Sequence, residues 1–314
     1  MPRASKDDAW RAESEGRWRD AMAAFAQLAK ESGNPLFLVL SAGAADKGGF
    51  AQEAESILKD AIARYPACAE AYSKLGFVLN DADRLEEARA MFVAALAIRE
   101  SQPDLTLLGL VERDLGHRDA ALAALRRSLE LAPDDDEAHH ILGITLMDDE
   151  PLEAIAHFER AHEIDPDLPH VLREWGRALW RAKRMDEALD KLRRALSFDP
   201  DDAWAHCYLG NLLLESEPKE ARSSFQRAVS LEPRHGFFWG NLGYAHQELG
   251  ERSEAEKCFR KGLSVEFDSP YLHRRYGLFL KRVGKLQKAK RYLKRALELD
   301  PMDEKVRAAL AELE

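Results

Sequence analysis

Cysteine is scarce in this 314-residue chain: Cys68, Cys207 and Cys258 are odd in number and show no CxxC spacing. A disulfide framework and a cysteine-based metal site are therefore not expected, and a reducing interior is. No run of 18 or more apolar residues occurs, and the N-terminal MPRASKDDAW has no apolar signal core. The expectation is a cytoplasmic protein without a membrane span. HExxH, GxSxG, the Walker loop and the glycine-rich dinucleotide fingerprint are all missing, so neither catalysis nor a cofactor is expected. The acidic runs Asp134-Asp135-Asp136 and Asp201-Asp202 each follow a proline and open a helix, where carboxylates cap free amides. They lack the glycine and terminal glutamate of a calcium loop, so no metal is expected. His139 and His140 are adjacent and point in different directions on a helix, which makes a poor ligand pair.

What the chain has in abundance is recurrence. Gly76, Gly109, Gly143, Gly176, Gly210, Gly243 and Gly277 return every 33 or 34 residues. Ala88, Ala121, Ala154, Ala188, Ala221, Ala255 and Ala289 follow in step, and Ala21 and Ala54 extend the frame toward the N-terminus. A fixed period of this length marks a solenoid. Each period holds two helical stretches. In the sixth, Leu172, Trp175 and Leu179 share one face with Gly176, and Met185, Ala188, Leu192 and Ala195 form the inner face of a second helix that Asp199-Pro200 stops. Small residues at the crossing let the helices approach, and hairpins of this kind bury their faces only by stacking.

The pattern [WLYH]-x2-[LWY]-G-x2-[LY] followed by A-x3-[FL]-x2-A-x4-P resembles the tetratricopeptide repeat. His273, Tyr276-Gly277, Leu280, Gly284, Ala289, Leu293, Ala296 and Pro301 carry it in the last copy. About nine copies start near residues 2, 35, 69, 102, 136, 169, 203, 236 and 270. The resemblance implies an all-α, right-handed superhelical solenoid of about nine hairpins. Divergent copies would occupy 2–68, regular ones 69–303 and a capping helix 304–314, in one continuous stack. In the first two copies Ala9 and Ala42 replace the glycine, Leu28 replaces a small contact residue, and Gly33-Asn34-Pro35 breaks the chain between them. His139, His206 and His273 recur 67 residues apart, which points to growth by a two-repeat unit.

In that family the first helix of each repeat lines the concave face through positions 2, 5, 6, 9, 12 and 13. Position 2 is aromatic in three successive copies, as Trp204, Phe237 and Tyr271, and Tyr208 and Tyr244 add to the same face. Exposed aromatic stripes serve recognition. Asn211, Asn241, Arg274 and Arg275 share the wall, and Arg177 has groove spacing one copy earlier. Asn211, Asn241 and Arg275 match three of five positions with which relatives clamp a terminal carboxylate. Cys207 and Tyr271 stand where that clamp has lysines.

Net charge is −10, which argues against general nucleic-acid binding. Residues 271–300 nevertheless hold ten Lys/Arg against two Asp/Glu, leaving −18 on the remainder. The expected function is a non-enzymatic scaffold or adaptor holding a protein or peptide of acidic and apolar character in the groove of its C-terminal repeats. An RNA-binding solenoid built on the basic hairpin is the first alternative, and a regulatory subunit of a separately encoded enzyme the second. Head-to-tail self-association is another use for the polarised charge.

Overall fold

The computed structural model describes residues 5–313. The outermost residues of the expected repeat frame, 2–4 and 314, lie outside that range. Among the described residues the chain is all-α, with nineteen helices and no strand. It divides into two compact units, residues 1–165 and 166–314.

The first unit contains five helical hairpins. They are α1 (Lys6–Ser14) with α2 (Trp18–Ser32), α3 (Leu36–Lys47) with α4 (Ala51–Arg64), α5 (Ala69–Asp81) with α6 (Leu85–Ile98), α7 (Gln102–Asp114) with α8 (Arg118–Leu131), and α9 (Asp136–Leu146) with α10 (Pro151–Ile164). The second unit contains four: α11 (Pro169–Arg181) with α12 (Met185–Phe198), α13 (Ala203–Leu213) with α14 (Pro218–Leu231), α15 (Gly236–Glu248) with α16 (Arg252–Val265), and α17 (Pro270–Arg282) with α18 (Leu286–Leu299). A last helix, α19 (Glu304–Ala311), packs Val306 and Ala309 on Leu293 and Ala296, with Leu310 partly buried beside them.

The recurring glycine is a steric requirement. A Cβ on Gly210 would lie 2.7 Å from the Phe225 ring, and one on Gly176 would lie 2.8 Å from Leu192. The partner is the second-helix core residue of the same hairpin, so the glycine sets how closely the two helices cross. Ala188 and Ala195, expected on the inner face of α12, are buried. Met185 is not: it is 41% exposed, because it occupies the first position of α12, beyond the helix crossing.

Turns within the hairpins come in two forms. One uses a left-handed residue, as at Gly250 (φ 76°) and at the non-glycine Lys183 (φ 64°). The short turns before α10 and α14 dispense with it and start the second helix on Pro151 or Pro218. The acidic runs end on caps, where Asp135 accepts from the Ala138 amide and Asp202 from the Ala205 amide.

Within the second unit the first helices α11, α13, α15 and α17 touch one another in sequence. The second helices instead meet mainly the first helices of their own and the following hairpin. First helices are thus the crowded side of this stack, and their outward side chains form one continuous surface.

Candidate protein-binding surface

That surface begins with an aromatic ladder. Trp204 on α13 stacks on Phe237 of α15 at 5.9 Å between ring centroids, and Phe237 meets Tyr271 of α17 at 4.9 Å. All three are half-buried. Offset rings at these spacings attract one another beyond the area they bury. Behind the ladder, His235 stacks on buried Phe238 at 4.5 Å and meets the Trp204 ring edge-on at 5.0 Å. Trp239 turns away and donates its indole N–H to the Pro233 carbonyl at 2.9 Å.

A polar chain runs beneath. Arg275 Nε donates to the Tyr271 hydroxyl at 3.3 Å, and Tyr271 donates to Asn241 Oδ1 at 2.5 Å. Asn241 Nδ2 donates to Cys207 Sγ at 3.3 Å, and Asn211 Nδ2 reaches the same sulfur at 3.8 Å. One network therefore joins α13, α15 and α17 through residues 30 to 34 apart in sequence. Asn241 is 2% exposed with both ends of its amide engaged. The sequence places it on the groove wall at a carboxylate-clamp position, and in the fold it accepts from and holds Tyr271. Cys207 is buried, and burial pushes its thiol up to about 12, so it is a neutral packing group at ordinary pH. Burial likewise raises the hydroxyls of Tyr208, to about 12, and Tyr271.

The arginines differ from one another in what already occupies them. Arg173 pairs with Glu174 at 2.9 Å and Asp202 at 2.8 Å, and Arg177 with Glu174 at 3.2 Å while lying 5.5 Å over the Tyr208 ring. Arg274 pairs with Asp303, the cap of α19, at 2.8 Å. Arg275 lies 4.1 Å over the Tyr244 ring and 5.4 Å from Tyr271, and among the described residues it has no carboxylate partner. The sequence-selected residues thus fall into two groups. Trp204, Tyr208, Asn211, Phe237, Asn241, Tyr244, Tyr271 and Arg275 form one connected patch, with Arg177 at its edge against Tyr208. Arg274 lies 5.7 Å from the Tyr271 ring but spends its charge on Asp303 of the terminal cap.

Residues that the sequence did not single out are His235 behind the ladder and Glu174, which is 6% exposed between two arginines. Cys207, noted only as replacing a clamp lysine, is the hub of the network. A carboxylate at a groove position flanked by Arg173 and Arg177 was the available signal for Glu174. Among the described residues no group of three or more His, Cys, Asp or Glu could hold a metal ion, and no helix is long and apolar enough to cross a membrane.

Stacked helical hairpins with a small residue at each crossing define an α-helical repeat protein. Profiles described as tetratricopeptide or TPR repeats match residues 68–101, 106–169, 176–216, 238–269 and 275–302. The chain belongs to the tetratricopeptide repeat family. It is 28% identical over 190 residues to tetratricopeptide repeat-containing protein trd-1 of Caenorhabditis elegans, covering 60% of this chain. The chain spans 22% to 47% of the length of trd-1 and two human relatives. A tetratricopeptide repeat protein from Parabacteroides merdae shares the fold, with TM-score 0.65 at 16% identity over 78% of this chain and 98% of that one. YrrB, described as a TPR protein with an unusual peptide-binding site, matches with TM-score 0.50 and 26% identity over 59% of this chain and 97% of its own.

Proposed function

We propose that the chain is a non-enzymatic scaffold that holds a segment of another protein on the first-helix surface of residues 166–314. The observation that carries this is the ladder Trp204–Phe237–Tyr271, closed by Arg275, which has no carboxylate partner among the described residues. Half-buried rings already fixed by stacking lose little entropy on binding, which is how interface anchors act. Arg275, 4.1 Å over the Tyr244 ring, would pair with a carboxylate, and Trp204, Phe237 and Tyr208 would take apolar side chains. The ligand is accordingly acidic and apolar. The peptide-binding site in the description of YrrB supports the same reading. Three buried free cysteines suit a reducing, cytoplasmic setting.

Panning a random peptide library on the intact chain tests this. Enriched peptides should pair acidic with bulky apolar residues, and Phe237→Ala/Arg275→Ala should weaken them by about tenfold or more with helical circular dichroism unchanged. No enrichment, or enriched peptides that bind the double variant equally well, would reject the surface.

A further inference from the structure

The turn between α16 and α17 departs from its siblings. The residue directly after the second-helix C-cap is proline at Pro66, Pro133, Pro166, Pro200, Pro233 and Pro301; Asn34 and Glu100 take its place after α2 and α6, and only here is it a large apolar residue, Phe267. Nothing in the backbone excludes proline. The preceding Glu266 has φ −124° and ψ 78°, nearly the −125° and 75° of Glu232 before Pro233. The Phe267 amide makes no backbone hydrogen bond among the described residues. The ring is 69% exposed, so it does not serve the core either. Its neighbours are rings: it meets His273 edge-on at 6.0 Å, and His273 meets Tyr292 at 5.8 Å. With Arg291, Lys294, Arg295 and Glu298 of α18 they line an open cavity of about 440 Å³, three cations against one carboxylate, large enough for one bulky side chain.

The facing helix departs from its siblings too. Each of the other second helices, α2, α4, α6, α8, α10, α12, α14 and α16, carries an acidic residue in its first turn, and α18 carries none. Lysine stands there instead, against the helix dipole. Arg291 and Lys294 line the cavity, and Lys288 lies one turn earlier on the same helix. Among the described residues neither they nor Lys290 has a carboxylate within 4.0 Å. Arg295 is occupied, by Asp268 at 2.8 Å and Glu298 at 3.0 Å, which ties the Phe267 turn to α18.

We infer that this cleft is a second binding site, distinct from the aromatic ladder, for an acidic protein segment bearing one bulky apolar side chain. That side chain enters between Phe267 and Tyr292, while flanking carboxylates pair with Lys288, Arg291 and Lys294. Charge complementarity selects the occupant, since a cationic rim around a ring-lined cavity rejects basic or purely apolar segments. A protein ligand is favoured over a nucleic acid because the cations form one short stripe beside one cavity rather than a track along the stack.

The test is fluorescence anisotropy on the full chain carrying Phe237→Ala/Arg275→Ala, which silences the ladder, with a labelled peptide of glutamates around one central tryptophan. The peptide should bind, and its all-glutamate counterpart should bind more weakly by about tenfold. Phe267→Pro restores the proline of the sibling turns, so it should keep the fold, and it should weaken the tryptophan peptide by about tenfold or more. Adding Lys288→Glu/Arg291→Glu/Lys294→Glu should abolish the binding that remains in this background. The inference is overturned if the peptide does not bind once the ladder is silenced, or if adding Phe267→Pro leaves its affinity unchanged. Tighter binding of oligouridylate through the same residues would assign the cleft to nucleic acid instead. Concentration-dependent self-association abolished by Phe267→Pro would make a second copy the occupant.

Discussion

His157 on α10 shows what one side chain can reveal about the state of the fold. His139 donates from Nε2 to the Pro133 carbonyl at 3.0 Å, so its Nδ1 is an acceptor, and His157 Nδ1–H donates to it at 2.9 Å. Burial, the neighbouring His139 and Arg126 together lower His157 to about 4, with Glu153 standing 4.0 Å away on the same helix. Above the ordinary histidine value of 6.5, folded and unfolded chains both hold a neutral ring. Between 6.5 and about 4 only the unfolded chain takes the proton, so stability falls through that window. The full loss from this group is on the order of 3 kcal/mol. Urea midpoints at pH 7.5 and pH 5.0 measure it, and His157→Gln, which can still donate to His139, should show a shallower fall. Equal slopes for the two proteins would remove His157 as the cause.

At the scale of the hairpin, the glycine at each crossing opposes two effects of known size. Gly210 lies within α13, where alanine is the better helix former by about 1 kcal/mol. A methyl there would press on the Phe225 ring, which is fully buried against both helices and has nowhere to retreat. Overpacking costs about 1–3 kcal/mol and outweighs the propensity gain. Gly210→Ala should therefore lower the melting temperature, whereas helix propensity alone would raise it. The sign of the change decides between the two. Similar crossings at Gly76 with Phe92 and Gly243 with Phe259 should respond in the same direction.

At the scale of the whole molecule, charge separates into cations that hold the fold and cations that do not. Lys281, Arg282 and Lys285 reach Glu312, Glu248 and Glu256, so they tie the last hairpin to its neighbours. Lys288, Arg291 and Lys294 reach no carboxylate among the described residues. Reversing all three to glutamate should leave the thermal midpoint essentially unchanged, within about 0.5 kcal/mol per site. A large loss of stability would show that their charge serves the fold after all.

Much of this was legible in the chain before any coordinates. The period and its glycines and alanines prescribe the hairpins, because a helix crossing that tight admits only small residues. The proline-acid turns locate the caps, since a carboxylate before free amides has one favoured place to go. The aromatic and arginine positions of the C-terminal copies were also readable from the frame. What the sequence could not rank was their availability. Asn241 and Arg275 occupy the same repeat position, yet the first is buried under Tyr271 and the second lies over Tyr244 in reach of solvent. Arg274 and Arg275 are neighbours, yet Asp303 neutralises only the first. The repeat pattern is local and follows from helix periodicity. Which charge is spent, and which ring keeps a free face, depends on side chains about thirty residues away and is decided only when the hairpins stack.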